Sequence, residues 1–273
     1  MTINCKGQLV DVSTPKVMGI LNLTPDSFYD GGRYKNESEI LLKVENMLNE
    51  GATFIDVGAY SSRPNAIHIS EEEELNRLLP IIEILIKSFP DILLSIDTFR
   101  SRVAKESIEA GACMINDISA GKLDEQMLST VAKYHVPFIM MHMKGTPQTM
   151  QKHAQYDDLV KDILFYFSER IATARSLGIS DIIVDPGFGF AKTIKHNFEL
   201  LNKLDLFKML DLPILVGVSR KSMIYKSLEI SVEDALNGTT VLNTIALQKG
   251  AHILRVHDVK EAVECIKLHH LII

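Results

Sequence analysis

Short apolar runs alternate with longer amphipathic stretches from Val17 to the end of the chain. The runs read VMGILN, FIDVGA, ILLSIDT, CMINDIS, PFIMMHM, DIIVDPG, PILVGVS and HILRVHD. Each is nearly continuous in aliphatic and β-branched residues, the pattern of strands buried on both faces of a parallel sheet. The stretches between them have helical spacing, for example Glu71 to Lys87, Ser101 to Ala110, Asp158 to Leu177, Val232 to Gln248 and Val259 to His269.

Local signals mark several helix ends. Ser70 with Glu73, and Ser231 with Asp234, stand at the spacing of a capping box. Glu71 to Glu74 read as a solvated first turn favoured by the helix dipole, not as a metal cluster. Gly51, Gly111 and Gly178 follow helical stretches and predict C-terminal stops.

Eight strand–helix units in one direction, without a linker, predict a single (β/α)8 TIM barrel over residues 1–273. A doubly wound open sheet is the alternative. Residues Thr2 to Val12 precede the first barrel strand and predict a short N-terminal hairpin beneath it. Single barrels of this kind run to about 250 residues, so length alone does not choose between the two.

Composition narrows the function. The formal net charge is −6, so no basic surface points to nucleic acid or an anionic membrane. Cys5, Cys113 and Cys265 are odd in number and form no CxxC pair, which argues against a zinc ribbon or a disulfide framework. The N-terminus has no apolar signal-peptide core, and no apolar stretch reaches the roughly 20 residues of a membrane span. The expected location is the cytoplasm.

The chemistry lies in what ends each apolar run. Asn22 ends the first, the second leads into Ser62 and Arg63, and Asp97 ends the third. Asn116 and Asp117 close the fourth, His142 the fifth, Asp185 the sixth, and Ser219, Arg220, Lys221 and Ser222 the seventh. Arg255, His257 and Asp258 close the last. C-terminal strand ends of a barrel converge on one mouth, where such folds carry their sites. Asp117 and Asp258 can each be read as caps. Helix caps, however, call for Ser, Thr, Asp or Asn, and Lys221, Arg255 and Arg63 are none of these. Arg63, Arg255 and His257 can grip a phosphate or diphosphate, and Asn22 can share a magnesium ion with its oxygens. Asp97, Asn116 and Asp185 are acceptors suited to a heterocycle with N–H donors. The remaining histidines have no metal-ligand spacing, and the glycines of DPGFGFAKT, Asp185 to Thr193, by themselves require only a tight turn.

The segment MGILNLTPDSFYDGGRY, Met18 to Tyr34, resembles the first signature of the dihydropteroate synthases, and DVGAYSSRPNA, Asp56 to Ala66, resembles the second. SIDTFR, MINDIS, MHMKGTPQTM, DPGFGFAKT, VGVSRKSMI and RVHDV follow in that family's order. The resemblance implies a transferase of folate biosynthesis. It would join a pterin methyl diphosphate to p-aminobenzoate, with Mg2+ as cofactor, and be a target of sulfonamides. It implies pterin contacts from Asp97, Asn116, Met140, Asp185, Phe190, Lys221 and Arg255. It also implies that Asp97, Asp185 and Lys221 would carry the catalytic roles. Arg63, Arg255 and His257 would hold the diphosphate, and Asn22 the metal. Phe28, Ser62, Pro64, Lys221 and Ser222 would shape the p-aminobenzoate pocket, in a homodimer built on the last helices. Tyr60 stands where the family usually has an acidic residue, and Ala191 where Gly is common. A pterin-dependent methyltransferase on the same barrel, or a catalytically silent pterin-binding paralogue, are the competing functions.

Overall fold

The computed structural model describes residues 1–23, 33–61 and 68–272. Phe28, Ser62, Arg63 and Pro64 therefore lie outside the described residues.

β1 (Thr2–Cys5) and β2 (Gln8–Asp11) pair antiparallel as the expected hairpin. The main sheet then forms from β3 (Lys16–Asn22), β4 (Phe54–Gly58), β5 (Leu94–Asp97), β6 (Met114–Asp117), β7 (Phe138–Met141), β8 (Ile182–Asp185), β9 (Leu215–Val216) and β10 (Ile253–Val256). These pair in parallel in the order β8-β7-β6-β5-β4-β3-β10-β9. A parallel bridge between Val184 and Ile214, and a bond from Val184 N to Pro213 O at 2.9 Å, join β8 to the approach of β9. The ring is thereby closed, which rules out an open doubly wound sheet. Among the described residues the helices are α1 (Arg33–Glu50), α2 (Glu71–Ser88), α3 (Ser101–Glu109), α4 (Met127–Tyr134), α5 (Leu159–Ser176), α6 (Ile194–Asn202), α7 (Ser222–Leu228), α8 (Leu236–Gln248) and α9 (Val259–His270).

Strand side chains alternate between two cores. One set, including Val17, Ile55, Ile96, Ile115, Phe138, Val184 and Leu254, packs against the helices. The other, Met18, Phe54, Met114, Ile139, Ile183, Leu215 and Ile253, fills the barrel and meets Ile3, Cys5, Val10 and Val12 of the hairpin. The hairpin therefore supplies the floor of the barrel.

Two local expectations change. Glu74 is fully buried instead of solvated, taking bonds from Thr98 Oγ1 at 2.7 Å and Arg100 Nη1 at 2.5 Å. It lies four residues before Leu78, so the helical repeat turns it onto the buried stripe with Leu78, Ile82 and Leu85. The helix expected from Val232 to Gln248 is a short 3-10 turn, Glu233–Ala235, followed by α8. Ser70 caps α2 by accepting from Glu73 N at 3.1 Å, while the Glu73 carboxylate pairs with Arg77.

Candidate active site at the barrel mouth

Residues in register on neighbouring strands share a face, and alternation then assigns the rest. Ile20 pairs with Asp56 and Asn22 with Gly58; Asp97 pairs with Asn116, Met141 with Asp185, and Arg255 with Met18. Met18 belongs to the interior set, so Asn22, Asp56 and Arg255 face inward with it. Ile139 and Ile183 do the same for Asn116, Asp97, Met141 and Asp185. Met140 is corrected by the same register: it pairs with Val184 and packs in the outer core, 0% exposed. Its neighbour Met141 is the methionine that stands beside Asp185.

Arg255 spans the interior. Its Nε donates to Asp56 Oδ2 at 2.6 Å and its Nη2 to Asp97 Oδ2 at 2.8 Å. Asn116 Nδ2 donates to the same Asp56 oxygen at 3.0 Å. Three expected site residues, Asp97, Asn116 and Arg255, are thus drawn into one network by Asp56, which the strand-end pattern missed because it lies mid-strand. A lone carboxylate inside the apolar run FIDVG was the available signal, since unpaired buried charge is costly. Burial raises the Asp97 carboxyl to about 7, although the Arg255 charge opposes this and Asp56 adds to it. Gly58 keeps room for that side chain, because a Cβ there would meet Asp97 Cβ at 3.2 Å.

On the opposite wall, Asp185 Oδ1 accepts from Gly187 N at 2.8 Å. Gly187 has φ 75°, and a Cβ would strike His142 O at 2.2 Å, so only glycine fits. Burial raises the Asp185 pKa, against the pull of Lys221. Lys221 lies over Gly189, donates to Phe188 O, and has its Nζ 5.0 Å from the Phe190 ring centroid. Burial lowers its pKa to about 8. Half-buried Ser222 follows it as the first residue of α7. Ala191 adopts φ 49°, a left-handed conformation that favours glycine, which accounts for the family's preference at that position.

Sequence reasoning also missed Lys192. It is 3% exposed and donates to His142 Nδ1 at 3.0 Å, Gly187 O at 2.9 Å and Phe190 O at 3.1 Å.

At the rim, His257 Nδ1 lies 3.0 Å from Ser219 Oγ, and His257 N donates to that oxygen at 3.2 Å. Arg220 points elsewhere: it pairs with Asp258 at 2.9 and 2.8 Å and donates to the carbonyls of Val232 and Glu233. Asp258 is thus an anchor for Arg220 and makes no side-chain cap of α9. Asp117 accepts from Ser119 N, Ser119 Oγ and Gly121 N, each at 2.7 Å, and so holds the loop after β6. Tyr60 has its hydroxyl 3.2 Å from His68 Nδ1, accepts from Gln148 Nε2 at 2.9 Å, and sets its ring edge-on to Phe99.

Among the described residues no three His, Cys, Asp or Glu side chains form a metal cage. Asn22 offers an amide oxygen at the end of β3, with no hydrogen bond to its side chain among the described residues. One neutral oxygen suits a magnesium ion that keeps most of its waters and takes the rest of its ligands from a substrate.

The profile described as "Pterin binding enzyme" matches residues 18–257. The dihydropteroate synthase of Escherichia coli K12 is 44% identical over 271 residues, covering 98% of this chain and 95% of its own length. That of Bacillus subtilis is 41% identical, covering 92% and 86%. Among solved structures, the Yersinia pestis dihydropteroate synthase in complex with a sulfonamide drug superposes with a TM-score of 0.93 at 43% identity, covering 100% and 99%. The Xanthomonas albilineans enzyme with 4-aminobenzoic acid gives 0.92 at 36% identity, covering 99% and 97%. With acid-bearing strand ends gathered at a barrel mouth and these relatives alike along its whole length, the chain belongs to the pterin-binding enzymes and, within them, to the dihydropteroate synthases.

Proposed function

We propose that the chain joins 6-hydroxymethyl-7,8-dihydropterin diphosphate to p-aminobenzoate. The observation that carries this reading is the convergence of Asp97, Asn116, Asp185, Lys221 and Arg255 on one mouth. A pterin edge presents N–H donors, and these carboxylates and the Asn116 carbonyl accept them. Lys221 donates to the oxo and N5 side of the ring. Phe190 and Met141 supply apolar contact.

The arylamine nitrogen lone pair attacks the methylene carbon of the pterin. The C–O bond to diphosphate breaks and its electron pair leaves with the diphosphate, and the arylamine then loses one proton. An uncharged aniline needs no strong general base, so the barrier lies in the departure of diphosphate. Arg63, Arg255 and His257 stabilise the developing negative charge, and Asp97 and Asp185 the positive charge spreading into the ring. A magnesium ion held by Asn22 would add Lewis-acid stabilisation of the leaving group. Phe28, Ser62, Pro64, Lys221 and Ser222 would make up the arylamine pocket that a sulfonamide would enter.

The reading extends to a single-domain protein that works in the cytoplasm as a homodimer. Three buried free cysteines suit a reducing compartment. Among the described residues no helix is long and apolar enough to cross a membrane. Val241, Leu268, Leu271 and Ile272 stand exposed on and after the last two helices, a surface suited to a second copy.

The test is a turnover assay with pterin diphosphate, p-aminobenzoate and magnesium, following diphosphate and dihydropteroate. Product in equal amounts supports the reading. Pterin binding without product would mark a silent binder, and methyl transfer from a folate would mark a methyltransferase.

A further inference from the structure

Asp56 lies in the middle of β4 and is 0% exposed. Its Oδ2 accepts from both Asn116 Nδ2 and Arg255 Nε. A carboxylate accepts hydrogen bonds and cannot donate them. The Asn116 amide must therefore turn its NH2 group toward Asp56, which sends its carbonyl oxygen the other way. That oxygen has no protein donor among the described residues. Asn116 is in register with Asp97 on the inner face, so the carbonyl belongs to the ligand side of the mouth. Arg255 Nε can only donate and would keep the oxygen of an amide in the same place, so only a side chain without an acceptor at position 56 would leave both orientations of Asn116 open. Arg255 is constrained in the same way, with its guanidinium plane pinned at Nε by Asp56 and at Nη2 by Asp97.

We propose that Asp56 is a positioning residue for ligand choice: by locking the Asn116 carbonyl toward the ligand, it selects a heterocycle presenting an amino group over one presenting an oxo group. The proposal rests on the pterin-binding reading above. An amino group facing the fixed carbonyl makes a hydrogen bond. An oxo group there places two acceptors against each other in a buried site.

The probes are pterin and lumazine, the same ring system with oxygen in place of the 2-amino group, titrated by calorimetry. Wild type should prefer pterin by on the order of a hundredfold or more. In Asp56→Ala the preference should fall to within about tenfold, through weaker pterin binding with lumazine binding held or improved. Asn116→Ala should remove the same part of the preference alone and add nothing in the Asp56→Ala background. An unchanged preference in Asp56→Ala overturns the proposal, as does an equal loss for both probes, which is what loosened packing would produce. Should Asp56→Ala fail to fold, Asp56→Leu, close to aspartate in shape, is read in the same way, and a wild-type preference retained in Asn116→Ala overturns the proposal. Wild type that binds neither probe would instead defeat the pterin reading itself.

Discussion

Lys192 Nζ donates to His142 Nδ1 across 3.0 Å inside the barrel wall. Its other bonds run to the carbonyls of Gly187 and Phe190, so three N–H groups meet three acceptors. The lysine thus ties the segment carrying Phe190 to the end of β7, and burial lowers its pKa to about 7. His142 can accept because its own pKa is held well below the usual histidine value, first by burial and then by the Lys192 charge.

Lys192→Met should leave the two carbonyls without their donor, lowering stability by about 1–3 kcal/mol. It should weaken pterin binding as well, because the Gly187 to Phe190 segment loses its clamp. The pH dependence has a definite sign. Between about 7 and the ordinary lysine value of 10.5, the unfolded chain binds a proton that the native chain does not. Stability therefore rises with pH across that window, and Lys192→Met should lack this part of the slope. Urea denaturation from pH 7.5 to 10, wild type against variant, measures the difference, and parallel slopes would show that Lys192 is charged throughout.

Asp97 predicts a pH dependence of binding. Its carboxyl is raised to about 7, chiefly by burial, and only the ionised form is a pure acceptor. Pterin affinity should climb as pH rises from 5 through 7 and then level, by at most about tenfold per unit. The profile of Asp97→Asn should be flatter as well as weaker. A wild-type dissociation constant independent of pH over that range would count against an ionised Asp97 as ligand acceptor.

The adjacent methionines give a paired test. Met140 packs in the outer core, so Met140→Ala should cost about 2–5 kcal/mol of stability and spare pterin affinity. Met141 is beside Asp185 in the inner cluster with Phe190 against it, so Met141→Ala should weaken pterin binding by about 1–3 kcal/mol. Calorimetry and thermal melts on both variants check this, and the reverse pattern would mean the β7 register is off by one.

Glu74→Ala should destabilise the protein by about 3–5 kcal/mol, because Arg100 is left buried with one partner removed. The Arg100 guanidinium also holds Ile69 O at 2.7 Å, so the damage reaches the end of the segment preceding α2. Chemical denaturation reads the loss directly. A change below about 1 kcal/mol would class the pair with surface ion pairs.

The barrel was legible because eight apolar runs carry the doubly buried strand pattern and their ends carry the charges. The phase within a run was not. Met140 and Met141 are chemically identical neighbours, and only the partner register with Val184 and Asp185 decides which one faces inward. Glu74 was hidden by its three glutamate neighbours, although its spacing to Leu78 and Ile82 already put it on the buried stripe. Asp56 and Lys192 escaped for a common reason: both act through other side chains and backbone, so neither stands where a ligand-facing residue would be sought.

The hairpin under the barrel makes the interior a blind cup, since Ile3, Cys5, Val10 and Val12 stopper its lower end. Everything that enters must leave by the same doorway, and depth then becomes sequence in time. On the proposed function, the ring held by Asp97 and Asn116 would go in ahead of an arylamine settling nearer the opening. The joined product would then have to back out along that single path, ring end last.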